Sequence, residues 1–230
     1  MLLESFKRAI ELLTSLDKEL LQIIGVTLRM SFFSTTISCL IGLPLGALLG
    51  TRSFRGKSFI KKLIHTLMGL PPVVAGLLVY TLFTHYGPFG KLNLLFTVQI
   101  MVIAQVILIT PVVIGLSSSF IESTSRPVIE TARGLGLSRG KIVSLCISEG
   151  RSSLFSVVLG AFGRSIAEVG AVSIVGGNIQ WKTRVMTTAI MLETNKGKFS
   201  FALALGIILL IIAFVVNALA SFIVKEAPND

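Results

Sequence analysis

Three stretches of this chain, 30–50, 94–116 and 199–224, contain no charged side chain. Each is longer than the roughly 18 residues that mark a helix able to cross the hydrocarbon of a bilayer. That feature predicts an all-α integral membrane protein. Composition agrees: 14% of residues are charged and the mean hydropathy is +0.86, where a soluble chain carries about 25% charge. A net charge of +10 raises nucleic acid as a partner. In a membrane chain, however, Lys and Arg gather near the span ends that face the cytoplasm, and they do so here, so the partner read from the charge is lipid and not nucleic acid. Cys39 and Cys146 have no CxxC neighbour, which gives no support to a metal site or a disulfide framework. Seven charges within 1–22 rule out the apolar core of a signal peptide.

Taken in order, residues 2–20 place Leu2, Leu3, Phe6, Ile10, Leu13, Leu16 and Leu20 on one helical stripe. An amphipathic helix over 1–21 follows, either lying in the interface plane or packed on the bundle. The first span is expected within 22–50. There Gly42, Gly46 and Gly50 form a small-residue stripe that admits another helix closely, and Arg29 is placed to snorkel to the headgroups. Arg52, Arg55, Lys57, Lys61 and Lys62 then make an acid-free loop, cytoplasmic by the positive-inside rule. Gly56-Lys57-Ser58 is not a phosphate loop, because five residues instead of four separate Gly50 from Gly56.

The second span, 63–84, contains Pro71-Pro72, which removes two backbone donors and kinks or breaks the helix. His65 falls at the membrane edge and His85 in an external loop, 85–93, with no partner ligand in the sequence. Gln99 and Gln105 in the third span, 94–116, are of the type that hydrogen-bonds across helices. The loop 117–151 is too long for a simple connector. The fourth span, 152–177, carries Arg164 and Glu168, four residues apart and hence on one helix face. A charge in hydrocarbon costs about 2.5–3.5 kcal/mol on insertion scales, so such groups face the bundle interior. They form either a structural ion pair or a charged group beside a translocation path, for which Pro71 and Pro72 are further candidates. A basic external segment with Lys182, Arg184, Lys196 and Lys198 precedes the final span, 199–224, and a tail, 226–230. Internal parts hold eleven Lys and Arg against eight outside, which orients the chain with its N-terminus outside and its C-terminus inside. The expectation is one domain, 22–225, of about five spans.

Within the long loop, the segment 126–140 is polar and helical in spacing. Glu130, Ala132 and Gly136 match the signature of the permease subunits of ATP-binding-cassette importers, which begins Glu-Ala-Ala and has a glycine six residues after the Glu. Thr131 replaces the first Ala, and Glu149 stands where the family has a later proline. Gly69-Leu70-Pro71-Pro72-Val73-Val74-Ala75-Gly76 and the stretch from Arg164 to Ile179 resemble the molybdate and tungstate permeases. Thr183 to Ile190, with Leu192-Glu193-Thr194, is most similar to tungstate permeases. The similarity covers about 22–224.

The resemblance implies a type I importer permease fold in a prokaryotic cytoplasmic membrane, with Glu130, Ala132, Arg133 and Gly136 coupling it to an ATPase. It implies a second copy of the chain, two cytoplasmic ATPase subunits holding ATP and Mg, and an extracytoplasmic oxyanion-binding protein. This chain would itself be no enzyme and bind no cofactor. The implied cargo is tungstate, with molybdate, sulfate or phosphate as alternatives. An ion-coupled secondary carrier would show inverted repeats, which are not found, and a non-transporting scaffold is the remaining class.

Overall fold

The computed structural model describes residues 2–15, 17–124 and 126–225. Helices α1 (Leu2–Thr14), α2 (Lys18–Thr51), α3 (Lys57–Met68), α4 (Pro72–Phe83), α5 (Val98–Thr124), α6 (Arg126–Gly134), α7 (Arg139–Glu149), α8 (Arg151–Ile166), α9 (Gly170–Gly176), α10 (Met186–Asn195) and α11 (Phe199–Lys225) account for most of it, with one 3-10 turn at Gly90–Leu92. Among the described residues there is no strand. The tail 226–230 lies outside the described residues.

Among the described residues, three helices are long and apolar enough to cross a membrane: Lys18–Thr51, Val98–Ser123 and Phe199–Ser221. Two bent pairs bring the number of spans to five if each counts as one, α3 with α4 at 95° and Gly140–Glu149 with α8 at 75°. The expected second span is therefore two helices. Pro71 is extended (φ −61°, ψ 127°) and Pro72 opens α4, where a missing N–H costs nothing. The fourth span also departs from expectation. Its helix ends at Ile166 and resumes only at Gly170, so 152–177 is not one continuous helix.

The N-terminal stripe is likewise divided. Asp17 Oδ1 accepts the Leu20 N–H at 2.8 Å, an N-cap that starts α2 afresh and assigns Leu20 to it. Helix α1 packs on the bundle: Ala9 shares a buried cluster with Leu20, Ile23, Leu205 and Ile208, and the Arg8 guanidinium lies 5.7 Å from the Phe201 ring centre.

The chain divides into two compact units. The first gathers Met1–Phe33, Pro71–Gln105 and Gly163–Asp230, the second Ser34–Leu70 and Val106–Phe162. In the second, the glycine stripe of α2 meets α5. A Cβ on Gly42 would stand 2.7 Å from Val113, one on Gly46 would collide with Ser117, and one on Gly50 would stand 2.9 Å from Ile121. Both helices advance by four residues per contact, so they run parallel. Ile109 and Val113 of α5 cluster with Val157 and Ala161 of α8, while Ile121 clusters with Leu154, so α8 runs antiparallel to α5.

In the first unit α4 and α9 are in backbone contact: a Cβ on Gly76 would stand 2.7 Å from the Ala171 Cα. Outward faces remain apolar, with Leu40, Leu210 and Phe214 each more than 70% exposed. Apolar surface on that scale is stable against lipid and not against water.

The α2–α5 contact makes a prediction. Gly46→Leu, with no room for a side chain, is expected to lose the folded protein, an overpacking cost of at least ~1–3 kcal/mol. Gly25→Leu, where a Cβ meets nothing within 4 Å, is expected to purify as wild type. Monodisperse yield by size-exclusion chromatography reads both.

Candidate functional site

Two places collect the residues singled out by the sequence. The first is α6 in the second unit. Its Ile129 and Ala132 are buried against Ala47, Ile121 and Cys146, and Glu130, Thr131 and Gly134 face outward. The helix ends in a Schellman turn: the Leu137 N–H donates to the Ala132 carbonyl and the Gly136 N–H to the Arg133 carbonyl, both at 3.0 Å. Gly136 sits at φ +70°, the left-handed position that glycine takes without penalty. Leu137 folds back onto the cluster. Arg133 donates to the Thr51 carbonyl at 3.0 Å, bracing α6 against the C-terminus of α2.

The turn also changes one expectation. Helical spacing would carry the buried stripe of Ile129 and Ala132 on to Leu135, yet the helix stops at Gly134 and Leu135 is 74% exposed. An apolar side chain is thus offered outward beside Glu130 and Thr131. At the same end of the unit, Glu122 of α5 pairs with Lys61 and, at 3.4 Å, with Lys57 of α3. A cavity of about 870 Å³ lies beside this helix, with Arg52 and Arg133 among its lining residues.

The second place lies in the first unit, where α4, α8, α9 and α10 have ends. The first turn of α4 packs on the first turn of α9: a Cβ on Gly170 would stand 3.3 Å from the Val73 nitrogen and 3.4 Å from Pro72. Glu168 stands between α8 and α9, accepting the Ala171 N–H at 3.2 Å on its carboxylate. A carboxylate suits a helix N-terminus, where the dipole is positive. The Glu168 carbonyl accepts from the Thr187 hydroxyl at 2.8 Å, tying in α10. Gln105 donates to the Ser165 carbonyl at 2.9 Å and accepts from the Ser165 hydroxyl.

Pro72 and Glu168 are thereby brought to adjacent first turns, but Arg164 and Glu168 do not share a helix face, and no ion pair joins them among the described residues. The break at 167–169 intervenes. Arg164 is half-buried, and its Nε is enclosed without a hydrogen-bond partner, a costly arrangement in a structure that only has to fold. The residues that the sequence reading missed are Thr187 and Ser165. A hydroxyl beside a helix break is a weak signal before the break is known.

Three of the four cations in the basic segment 182–198 have acidic partners. Arg184 pairs with Glu19 at 2.7 Å, and Lys196 and Lys198 with Glu193 at 2.8 and 3.9 Å. Gln105 bonds across helices, whereas Gln99 is exposed. No group of three or more His, Cys, Asp or Glu that could hold a metal occurs among the described residues.

Residues 42–227 match the family described as binding-protein-dependent transport system inner membrane component. The chain belongs to that family. It is 37% identical over 223 residues to a tungstate uptake system permease protein of Peptoclostridium acidaminophilum, covering 97% of this chain and 98% of the relative. The corresponding protein of Campylobacter jejuni is 43% identical over 214 residues, 93% of this chain and 90% of that one. A probable anion ABC transporter permease of Haloferax volcanii is 39% identical, with 91% and 93% covered. Sulfate transport permeases are more distant, the CysT protein of Escherichia coli at 27% identity. A solved bacterial ABC transporter that imports alginate superposes with a TM-score of 0.72 at 17% identity, over 97% of this chain and 84% of the other. The five-span, all-helical arrangement is therefore that of an importer permease.

For this permease, the geometry separates Arg164 from Glu168 energetically. A double-mutant cycle with Arg164→Met and Glu168→Gln is expected to give a coupling below ~0.5 kcal/mol, as for residues without a shared contact. Glu168→Ala, which removes the acceptor for Ala171, is expected to cost about 1 kcal/mol. Thermal unfolding in detergent measures both. A coupling of several kcal/mol would restore the ion pair.

Proposed function

We propose that the chain is the membrane-spanning subunit of an ATP-driven importer for an oxyanion, tungstate foremost. The observation that carries this reading is α6. It is packed on one face, closed by Gly136, and presents Glu130, Thr131 and Leu135 outward. Such a helix suits docking to a separate ATPase, whose work on ATP and Mg would move it. The permease chain is no enzyme in this scheme and binds no cofactor of its own. Its domain is taken as 22–225, with coupling residues Glu130, Ala132, Arg133 and Gly136. Two copies of the chain, two ATPase subunits and an extracytoplasmic binding protein make up the assembly in a prokaryotic cytoplasmic membrane. The N-terminus and residues 177–184 face outside, and α6 faces the cytoplasm.

The translocation path is assigned to the junction of α4, α8 and α9, with Pro71, Pro72, Arg164 and Glu168. Arg164 supplies a cation whose enclosed Nε is unsatisfied. Glu168 is engaged with the α9 N-terminus and leaves that cation uncompensated. A divalent oxyanion in a low-dielectric bundle needs such a group. The cargo rests on the relatives named for tungstate uptake, at 37% and 43% identity. The sulfate permeases at 27% support the same architecture with another oxyanion.

Cells relying on this permease are expected to take up radiolabelled tungstate, with molybdate competing only in excess and sulfate hardly at all. Equal competition by sulfate would reassign the cargo.

Coupling is tested at α6. In a background lacking Cys39 and Cys146, Leu135→Cys is expected to react with an impermeant maleimide only from the cytoplasmic side, and bound ATPase should protect it. Glu130→Ala and Gly136→Leu are expected to insert normally and to lower uptake at least ~10-fold, the second because a side chain at φ +70° strains the turn. Labelling from outside, or full uptake in both variants, would remove the coupling assignment.

A further inference from the structure

The cavity beside α6 is lined by residues of the second unit alone, and its polarity is divided along its length. At one end stand Thr51, Arg52 and Ser53, where α2 stops, together with Arg133 of α6. The rest of the wall is apolar, with Leu45 and Leu48 of α2, Ile60 and Ile64 of α3, Ile114 of α5 and Leu137. Leu45 precedes Thr51 by six residues, so at 1.5 Å per residue the apolar wall extends ~9 Å from the polar end. Among the described residues no acid lines the cavity.

Its two cations are not neutralised. The run 52–62 holds five Lys and Arg and no acid. Glu122 pairs with Lys57 and Lys61 of that run, and Arg52 has no ion pair among the described residues. Arg133 gives one guanidinium nitrogen to the Thr51 carbonyl and meets no carboxylate there. The apolar wall, for its part, is open at the side. Leu45 and Ile60 are 47% and 39% exposed, and one turn along α2 the exposed Ile41 continues the strip. Helix α3 buries none of its residues.

We propose that this cavity is a binding site for an anionic phospholipid, with its phosphate on Arg52 and Arg133 and an acyl chain along the wall of α2 and α3. Its volume, about 870 Å³, falls in the ~300–1,000 Å³ range of ligand pockets. The forked donors of arginine match phosphate oxygens, and a basic run at the end of a span meets the charge of an anionic leaflet. Segregated polarity selects the occupant. A free oxyanion would satisfy the guanidinium groups and leave the apolar wall uncovered. An uncharged lipid would cover the wall and leave two cations uncompensated. An amphiphile with an anionic head does both, and the open side joins the site to surface that lipid already covers. Because Arg133 also braces α6 on Thr51, the bound phosphate and that brace share one guanidinium, so occupancy holds α6 in place. The site requires only that the spans lie in a membrane, and it stands whatever the cargo is.

The test uses the full-length permease in detergent with phosphatidylglycerol that carries a photoreactive group in one acyl chain. Labelled peptides are expected from 45–64 and 137–143, with unlabelled phosphatidylglycerol competing ~10-fold better than phosphatidylcholine, whose choline cancels the phosphate charge. Arg52→Gln, which removes one charge-assisted contact, is expected to lower labelling ~10-fold, and Arg52→Lys less. Ile60→Trp, which fills the cavity and keeps both cations, is expected to lower it as far. Amide exchange across 126–137 is expected to slow with phosphatidylglycerol in the wild type and not in Arg52→Gln. Labelling spread evenly over the spans, or unchanged in both Arg52→Gln and Ile60→Trp, overturns the site. Displacement by millimolar inorganic phosphate would make it a free-anion site, and loss of labelling when the ATPase binds would give the cavity to that partner; either result overturns the proposal. Exchange indifferent to the lipid overturns the hold on α6.

Discussion

Hydrocarbon offers no partner to a free amide or carbonyl, and that constraint decides where this chain breaks its helices. The breaks at 69–71 and 167–169 lie in one unit or at its edge, and the helices that follow them, α4 and α9, pack backbone to backbone through Gly76 and Ala171. Polar side chains replace the missing helical partners. Glu168 takes an amide of α9, Thr187 satisfies the Glu168 carbonyl, and Gln105 satisfies the Ser165 carbonyl. These three polar side chains are thus explained by the backbone. The enclosed Nε of Arg164 is not, and the transport reading gives that cation a use.

The other unit solves a different problem, which is to hold a short polar helix firmly at the end of long apolar ones. The glycines of α2 let α5 approach as a parallel neighbour, and the resulting end surface buries Ile129 and Ala132 of α6. Arg133 braces that helix on Thr51, and Glu122 ties α3 to α5 through Lys57 and Lys61. The helix is thus fixed on one face and presents Leu135 on the other.

Spans without charge, the glycine stripe and the proline break were legible in the sequence because each follows from a single local rule. Glu130, Ala132 and Gly136 stand out in the sequence through the resemblance, and the structure supplies a physical reason for the glycine, which closes α6 at φ +70°. Leu135 is not legible as an outward residue because helical periodicity continues on paper past Gly134, whereas the helix stops there and the backbone turns left-handed at Gly136. Arg164 and Glu168 were read as helical neighbours because nothing in Ser165-Ile166-Ala167 marks the end of a helix. That end is imposed by tertiary partners 19 to 60 residues away. Phe96 and Trp181, at φ 60° and 64°, leave no local signature at all, since neither residue type favours positive φ.

The central claim is that transport is driven by a separate ATPase and not by an ion gradient. Reconstitution of the permease into proteoliposomes, with and without the ATPase subunit, tests it by tungstate accumulation in the presence of the loaded binding protein. Accumulation is expected only when ATPase and ATP are both present, and to persist when ion gradients are collapsed. Accumulation by the permease alone under an imposed ion gradient would contradict the account.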